Sequence, residues 1–292
     1  MTSVENPDRS PPEGWIDPRT VLSRHGLRPK DSFGQCFLIA PHVVKAIVGA
    51  VAARSDETVV EIGTGTGTLA RCLAPQARRV VAIERDRDLV HALEADGLPP
   101  NVELREADAA AFDYGEVYAA GPTSVVGNLP YQITGKLLRA LTEDLRWRCA
   151  VVMVQQEVAK RIAASPGDDD WGALSVFVQA GCAVERVCTA SPGCFHPAPR
   201  VVSAVVRLVP RAVPLAVEDD AFRRVVHALF AARRKTLRNG LAPLVGRDRA
   251  AAVCEVAGVD PGVRPETLAI VDLARLTAAV QAQARAQSQS QG

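Results

Sequence analysis

The feature that most constrains this chain is an alternation between residues 58 and 154. Short runs rich in valine and isoleucine take turns there with stretches of helical periodicity. Thr58–Ile62 reads as a strand, closed by Gly63-Thr64-Gly65-Thr66-Gly67, and residues 68–77 as the helix that follows. A second strand over 79–83 ends at Glu84, and a helix over 86–95 has Asp86 near its start. Further strands are predicted over 102–105, 124–126 and 150–154. Strand, helix, strand, helix in this order predicts an α/β fold, a mostly parallel sheet with helices on both faces. Ligands of such sheets sit beyond the carboxyl ends of the strands. Gly63, Glu84, Asp108 and Asn128 all fall at or just after such ends, so they are predicted to converge on one rim.

The chain of 292 residues, 48% of them hydrophobic, is long enough for a large domain and a smaller one. Residues 201–209 read as a late strand, after which the composition changes. Residues 207–249 hold ten lysines or arginines against four acids, a local balance of +6, although the whole chain carries only +1. Helical patterns follow over 220–239, 247–257 and 268–283. The predicted organisation is an N-terminal extension over 1–26, partly flexible, and a ligand-binding domain over 27–210. A small helical domain spans 211–280, and the Gln/Ala/Ser tail over 281–292 is disordered. Near-neutral overall charge excludes RNA binding by the whole surface, so a nucleic-acid partner must be met by local positive charge. Seven scattered cysteines with no CxxC pair argue against a disulfide framework and against a thiolate metal site. The first twenty residues lack an apolar run, and no run of eighteen apolar residues occurs. A cytoplasmic protein without a membrane span or a metal is expected, most simply a monomer.

A glycine-rich turn after the first strand lets a ligand approach the backbone, and a helix start offers free N–H groups. The spacing is Gly63, Gly65, Gly67, with Thr68 where the third glycine of GxGxxG belongs. The dinucleotide fingerprint is therefore not met. S-adenosylmethionine has no pyrophosphate and does not need that spacing. Gly63 and Gly65 would line it, Glu84 would accept from two ribose hydroxyls, and Asp108 from the adenine amino group. An acid in Glu84's place also serves NAD sites, and the same glycines would make an ordinary tight turn; agreement of loop, acids and strand ends favours the cofactor.

Asn128-Leu129-Pro130-Tyr131 follows the fourth strand. An exocyclic adenine amine is a poor nucleophile because its lone pair is delocalised into the ring. The Asn128 side-chain oxygen and the Leu129 carbonyl could accept hydrogen bonds from that amine. Such bonds favour a tetrahedral nitrogen with its lone pair aimed at a methyl donor. Pro130 has a fixed φ and no N–H, which stiffens the loop, and Tyr131 could stack on a flipped base. Four residues alone would equally suit an Asn-x-Pro turn; their place on the glycine-loop rim favours chemistry.

With these segments in view, the chain resembles the small-subunit ribosomal RNA adenine N6,N6-dimethyltransferases. The resemblance runs from about residue 27 to 268. It is carried by Ser32-Phe33-Gly34-Gln35-Cys36-Phe37-Leu38, Glu61-Ile62-Gly63-Thr64-Gly65-Thr66-Gly67, Asn128-Leu129-Pro130-Tyr131 and Met153-Val154-Gln155-Gln156-Glu157-Val158. Trp171-Gly172-Ala173-Leu174-Ser175-Val176, Phe195-His196-Pro197-Ala198-Pro199-Arg200, Arg233-Arg234-Lys235-Thr236-Leu237-Arg238-Asn239 and Arg264-Pro265-Glu266 follow in order. The resemblance implies a Rossmann-like class I methyltransferase domain with a small C-terminal helical domain. It implies that S-adenosylmethionine, left as S-adenosylhomocysteine, contacts the positions of Cys36, Leu38, Gly63, Glu84, Asp108 and Asn128. Two adjacent adenines near the 3′ end of small-subunit (16S) rRNA would each receive two methyl groups during ribosome assembly. Phe195 would flank the target base opposite Tyr131. The chain departs from the family's usual pattern at Cys36, where Asn is usual, at Gln156, where Lys is common, and at Gly135, where Pro is common.

Two basic groups complete the reading. Arg233, Arg234, Lys235 and Arg238 cluster within two predicted turns, with Arg234 and Arg238 on one helix face. Arg24, Arg28 and Lys30 precede the cofactor region. Both groups are predicted to meet the phosphates of rRNA or of an immature small subunit. Two rivals remain: a methyltransferase acting on a large-subunit rRNA adenine to give antibiotic resistance, which shares the core motifs, and a non-catalytic ribosome-assembly factor. The glycine loop and Asn128 argue against the second. The Phe-x-Pro-x-Pro loop and basic C-terminal region favour the small-subunit type over the first.

Overall fold

A computed structural model describes residues 10–290; the expectations for residues 1–9 and for the last two residues of the tail lie outside them. The strands are β1 Phe37–Leu38, β2 Thr58–Ile62, β3 Arg79–Glu84, β4 Val102–Glu106, β5 Thr123–Asn128, β6 Cys149–Gln155, β7 Cys182–Ala190, β8 Phe195–His196 and β9 Ser203–Pro210. One sheet has the order β4-β3-β2-β5-β6-β9-β7, and β1 pairs separately with β8. Strands β4, β3, β2, β5 and β6 run parallel, and β9 is antiparallel to β6. Strands of a covered parallel sheet must be apolar on both faces. Accordingly Val59, Val60, Val80, Val81, Val125, Val126, Val151 and Val152 are at most 1% exposed. Strand β5 lies beside β2, so the strand order reverses between them, the place where such sheets open a ligand crevice. At Gly127 in β5 a Cβ would come within 2.7 Å of the Ile62 carbonyl oxygen, so only glycine lets β5 close on β2 there.

The helices are α1 Pro18–Arg24, α2 Pro41–Val51, α3 Thr68–Leu73, α4 Arg87–Asp96, α5 Gly115–Ala119, α6 Thr134–Glu143, α7 Gln156–Ala163, α8 Ala173–Gly181, α9 Asp220–Ala231, α10 Leu237–Val245, α11 Arg247–Val256 and α12 Ile270–Ser290. Two compact units result. One holds the residues up to Ala159 with Val184–Pro210; the other holds Lys160–Ala183 with the residues from Arg211 onward. In the first unit the core runs from α2 through the sheet. At the amino edge of the sheet Glu57 is fully buried and accepts from Ser124 Oγ (2.5 Å) and from Nε and Nη2 of Arg148 (2.9 Å each). Burial alone would raise the Glu57 carboxyl; the bonds from Arg148 and Ser124 outweigh it and hold the group below the usual carboxylate range.

The second unit packs α8 to α12 around Trp171, Phe222, Leu229, Leu237, Leu241, Leu273 and Leu276. Here the structure differs from the sequence reading in three places. Residues 160–183, assigned to the ligand-binding domain, join the helical unit because Val176, Phe177 and Ala180 of α8 bury their apolar face in its core. The helix expected over 220–239 breaks after Ala231 and restarts at Leu237, with Thr236 in extended conformation as the new N-cap. Helix α12 runs to Ser290, past the helix end expected at 283 and into the tail expected to be disordered, since glutamine and alanine are good helix formers. In the first unit, part of the expected N-terminal extension is ordered as α1, which buries Val21 and Leu22. Among the described residues no helix is long and apolar enough to cross a membrane.

Candidate active site

A cleft opens at the carboxyl ends of β2, β3 and β5. It encloses about 1150 Å³ counting its open mouth. Cys36, Leu38, Gly63, Gly65, Glu84, Asp108, Asn128, Leu129, Pro130 and Tyr131 all line it. The structure thus brings together the residues expected at the rim, drawn from segments almost a hundred positions apart.

The glycine loop is wound tightly. Gly65 has φ +58°, and a Cβ there would sit 3.2 Å from the Phe37 ring. Its N–H groups are largely spoken for. Those of Gly63 and Thr64 donate to the Ile83 carbonyl (2.9 and 3.0 Å), and that of Gly65 donates to Glu84 Oε2 (2.8 Å). The loop therefore offers close backbone approach rather than these three N–H donors. Glu84 Oε1 accepts from the N–H groups of Arg85 and Asp86 (2.9 Å each). Burial raises the Glu84 carboxyl above its ordinary value, and the three backbone donors oppose that rise. They also fix the carboxylate in place. Asp108 Oδ1 accepts from the Ala110 N–H (2.9 Å), and the Tyr114 hydroxyl donates to the Ala109 carbonyl (2.7 Å), pinning the loop that carries Asp108.

At Asn128 the side-chain Nδ2 donates to the Cys36 carbonyl oxygen (2.9 Å). Its Oδ1 has no donor among the described residues. The Leu129 N–H donates to the Met153 carbonyl (3.1 Å), while the Leu129 carbonyl oxygen has no donor among the described residues. Pro130 accepts from the Ile133 N–H and the Thr134 hydroxyl (3.1 Å each). Cys36 thus serves Asn128 through its backbone, and the thiol in place of the usual Asn leaves that bond untouched. Burial raises the Cys36 thiol, which stays neutral and a weak hydrogen-bonding group.

Phe195 is not where the sequence reading put it. It is 3% exposed, belongs to the core of the first unit and is absent from the cleft lining. Its strand β8 pairs with β1, placing Phe195 opposite Leu38, and this short tertiary pairing turns the ring inward. Three of the basic residues are also committed elsewhere. Lys30 Nζ bridges Asp86 and Asp88 (2.6 Å each), Arg24 pairs with Asp96 (2.8 Å), and Arg233 pairs with Glu266 (3.0 Å) and donates to the Asp169 carbonyl (2.6 Å). Arg28, Arg234, Lys235 and Arg238 are exposed, and their side chains have no partner among the described residues. Arg233, Arg234 and Lys235 lie in the turn between α9 and α10, so Arg234 and Arg238 share no helix face.

Other contributors escaped the sequence reading. Asp86, 2% exposed, caps α4 and also accepts from Gln35 Nε2 (2.7 Å), so with Lys30 it clasps the segment of residues 30–35 beside the cleft. A helix-capping aspartate was visible; its partners 51 and 56 positions away were not. Glu61 lies at the cleft floor and accepts from the Thr64 hydroxyl (2.6 Å). An acid two residues before the first glycine of the loop was the available signal.

Comparison with known proteins agrees with this geometry. The family described as ribosomal RNA adenine dimethylase matches residues 26–281. The chain is 43% identical over 269 residues to the ribosomal RNA small subunit methyltransferase A of Myxococcus xanthus (strain DK1622), covering 90% of this chain and 95% of that one. The protein of the same name from Anaeromyxobacter sp. (strain K) is 43% identical over 278 residues, covering 90% and 97%. Among solved structures, a dimethyladenosine transferase from Plasmodium falciparum shares the fold (TM-score 0.73, 24% identity, 85% of this chain and 98% of that one). The 23S rRNA methyltransferase ErmE aligns with a TM-score of 0.65 at 28% identity, covering 84% and 99%. The parallel sheet with its cleft at the switch point is the class I methyltransferase fold, and the chain belongs to the ribosomal RNA adenine dimethylase family.

Proposed function

We propose that this enzyme transfers methyl groups from S-adenosylmethionine to the N6 amines of two adjacent adenines near the 3′ end of small-subunit rRNA, two on each, within an immature small subunit. The cleft suits the cofactor by charge. Its lining sets the carboxyls of Glu84 and Asp108 against Arg85 as the one base among the described residues, which favours a ligand bearing positive charge. Glu84 would hold the ribose hydroxyls, Asp108 the adenine amino group, and Leu38, Gly63 and Gly65 the apolar walls. Bound S-adenosylmethionine supplies an electrophilic methyl on a positively charged sulfur.

The observation that carries the reading is the pair of acceptors without donors among the described residues, Asn128 Oδ1 and the Leu129 carbonyl, on adjacent residues that line the cleft. An unmethylated adenine amine has two N–H bonds to give, and two acceptors held by a stiff loop match them. Accepting both would draw the nitrogen toward a tetrahedral shape and free its lone pair. Rate then comes from position and electrostatics, without a strong base. Tyr131 would stack on the base. Arg28, Arg234, Lys235 and Arg238 are the cations available for rRNA phosphates; Arg24, Lys30 and Arg233 are withdrawn from that role by their ion pairs.

The test is transfer of labelled methyl to unmethylated small subunits, with mass spectrometry of the digested RNA. Dimethyladenosine should appear with the wild type. With Asn128→Ala the rate should fall at least about a hundredfold, the scale of losing one preorganised polar contact at a reacting atom. Methyl appearing only in large-subunit RNA would reject the substrate assignment, and unchanged transfer by Asn128→Ala would reject the role of the loop.

A further inference from the structure

We infer that Ser203 is a positioning residue for methyl transfer: it holds Tyr131 by the hydroxyl so that the ring stands as a fixed platform for the target adenine. The inference rests on the reading of Tyr131 as the base-stacking residue.

Tyr131 opens a short 3₁₀ turn just after Pro130 and lines the cleft, half-buried. Its hydroxyl lies 2.6 Å from Ser203 Oγ. Ser203 is fully buried, is the first residue of β9 and pairs with Gln155 at the end of β6. In the sheet order β5-β6-β9 the phenol therefore crosses the end of β6 and is tied to the strand beyond it. Pro130 restrains the backbone of the loop, but it does nothing for rotation of the Tyr131 side chain. The hydroxyl bond restrains that rotation.

The bond is one that both partners need. Ser203 Oγ has no other partner among the described residues, and a buried hydroxyl left unpaired is costly. Phenylalanine at position 131 would stack on a base as well as tyrosine does, yet it would orphan Ser203 and loosen the ring. Burial raises the Tyr131 phenol above its ordinary value, so it stays neutral. Base stacking alone would not call for a buried partner at the far end of the ring; a requirement for one fixed ring orientation would. Small misplacement of a reacting group lowers the rate of the chemical step, while cofactor binding on the other side of the cleft is untouched.

The test measures steady-state methyl transfer to unmethylated small subunits by wild type, Ser203→Ala, Tyr131→Phe, the double variant and Tyr131→Ala. Ser203→Ala and Tyr131→Phe should each lower kcat about three- to tenfold, the worth of one hydrogen bond, with KM for S-adenosylmethionine unchanged. The double variant should be no slower than the slower single variant. Tyr131→Phe removes a single oxygen and reads the same bond should Ser203→Ala fail to fold. Wild-type kcat in Tyr131→Phe, or multiplying losses in the double variant, overturns the role of Ser203. If Tyr131→Ala is slow while Ser203→Ala and Tyr131→Phe match wild type, only the Ser203 inference falls. If Tyr131→Ala also matches wild type, the stacking role of Tyr131 falls with it.

Discussion

At the scale of single residues, the most unusual group is Glu61, a carboxyl 2% exposed at the floor of the cleft. Burial pushes it from its usual 4.5 up to about 8; the nearby Glu84 adds to the rise, and the Thr64 hydroxyl and the Ala70 N–H oppose it. The sign of the consequence follows from proton counting. Between 4.5 and about 8 the folded protein keeps a proton that the unfolded chain has released. Stability must therefore fall as pH rises through that window, and the loss levels off above it. Glu61→Gln keeps the shape of the protonated form without an ionisable group. Its Tm should match the wild type near the lower limit and exceed it increasingly toward pH 8. Parallel curves of Tm against pH would show that Glu61 is ionised in the fold. Single residues also show where sequence reasoning stops. Glu84, Asp108 and the Asn128 loop were legible because their place at a strand end is local in the sequence. Phe195 and Lys30 take partners, Leu38 and Asp86, that only tertiary structure brings to them.

At the scale of elements, the parallel strands were legible to within two residues at most ends, since each is an apolar run punctuated by turn residues. The break between α9 and α10 was not, because Arg233-Arg234-Lys235-Thr236-Leu237-Arg238 has good helical propensity apart from Thr236 and the restart depends on Leu237 entering the core. Two-residue strands such as β1 and β8 carry no periodicity to read. What holds α2 to the amino edge of the sheet is likewise long-range. Arg148 Nη2 donates to the Val51 and Ala52 carbonyls (2.8 and 3.2 Å) while pairing with buried Glu57. Arg148→Met would leave that carboxylate buried without its cation, a change expected to cost about 3–5 kcal/mol in denaturant unfolding. Glu57→Gln placed in the same chain should recover part of it by removing the stranded charge. A loss below about 1 kcal/mol in Arg148→Met would mean that water reaches Glu57 and the network is not structural.

At the scale of the whole molecule, the question is how a chain of net charge +1 engages a polyanion. Counting basic residues along the sequence overstates the answer, because ion pairs consume many of them. Arg24, Lys30 and Arg233 answer acids of their own chain, while Arg234, Lys235 and Arg238 stay exposed and unanswered among the described residues. Two kinds of arginine thus sit side by side in one turn, and they should respond oppositely to substitution. Arg234→Glu and Arg238→Glu should each reduce the slope of log affinity for small-subunit rRNA against log salt by about one, leaving Tm and S-adenosylmethionine affinity near wild type. Arg233→Ala should lower Tm instead, since it strands Glu266, at 26% side-chain exposure, and the carbonyl of Asp169. Its salt slope should stay near wild type. Fluorescence titration with rRNA across a salt series, paired with thermal melts of the same three variants, separates the two roles. Equal slopes for wild type and Arg234→Glu would place the RNA-facing surface elsewhere on the molecule.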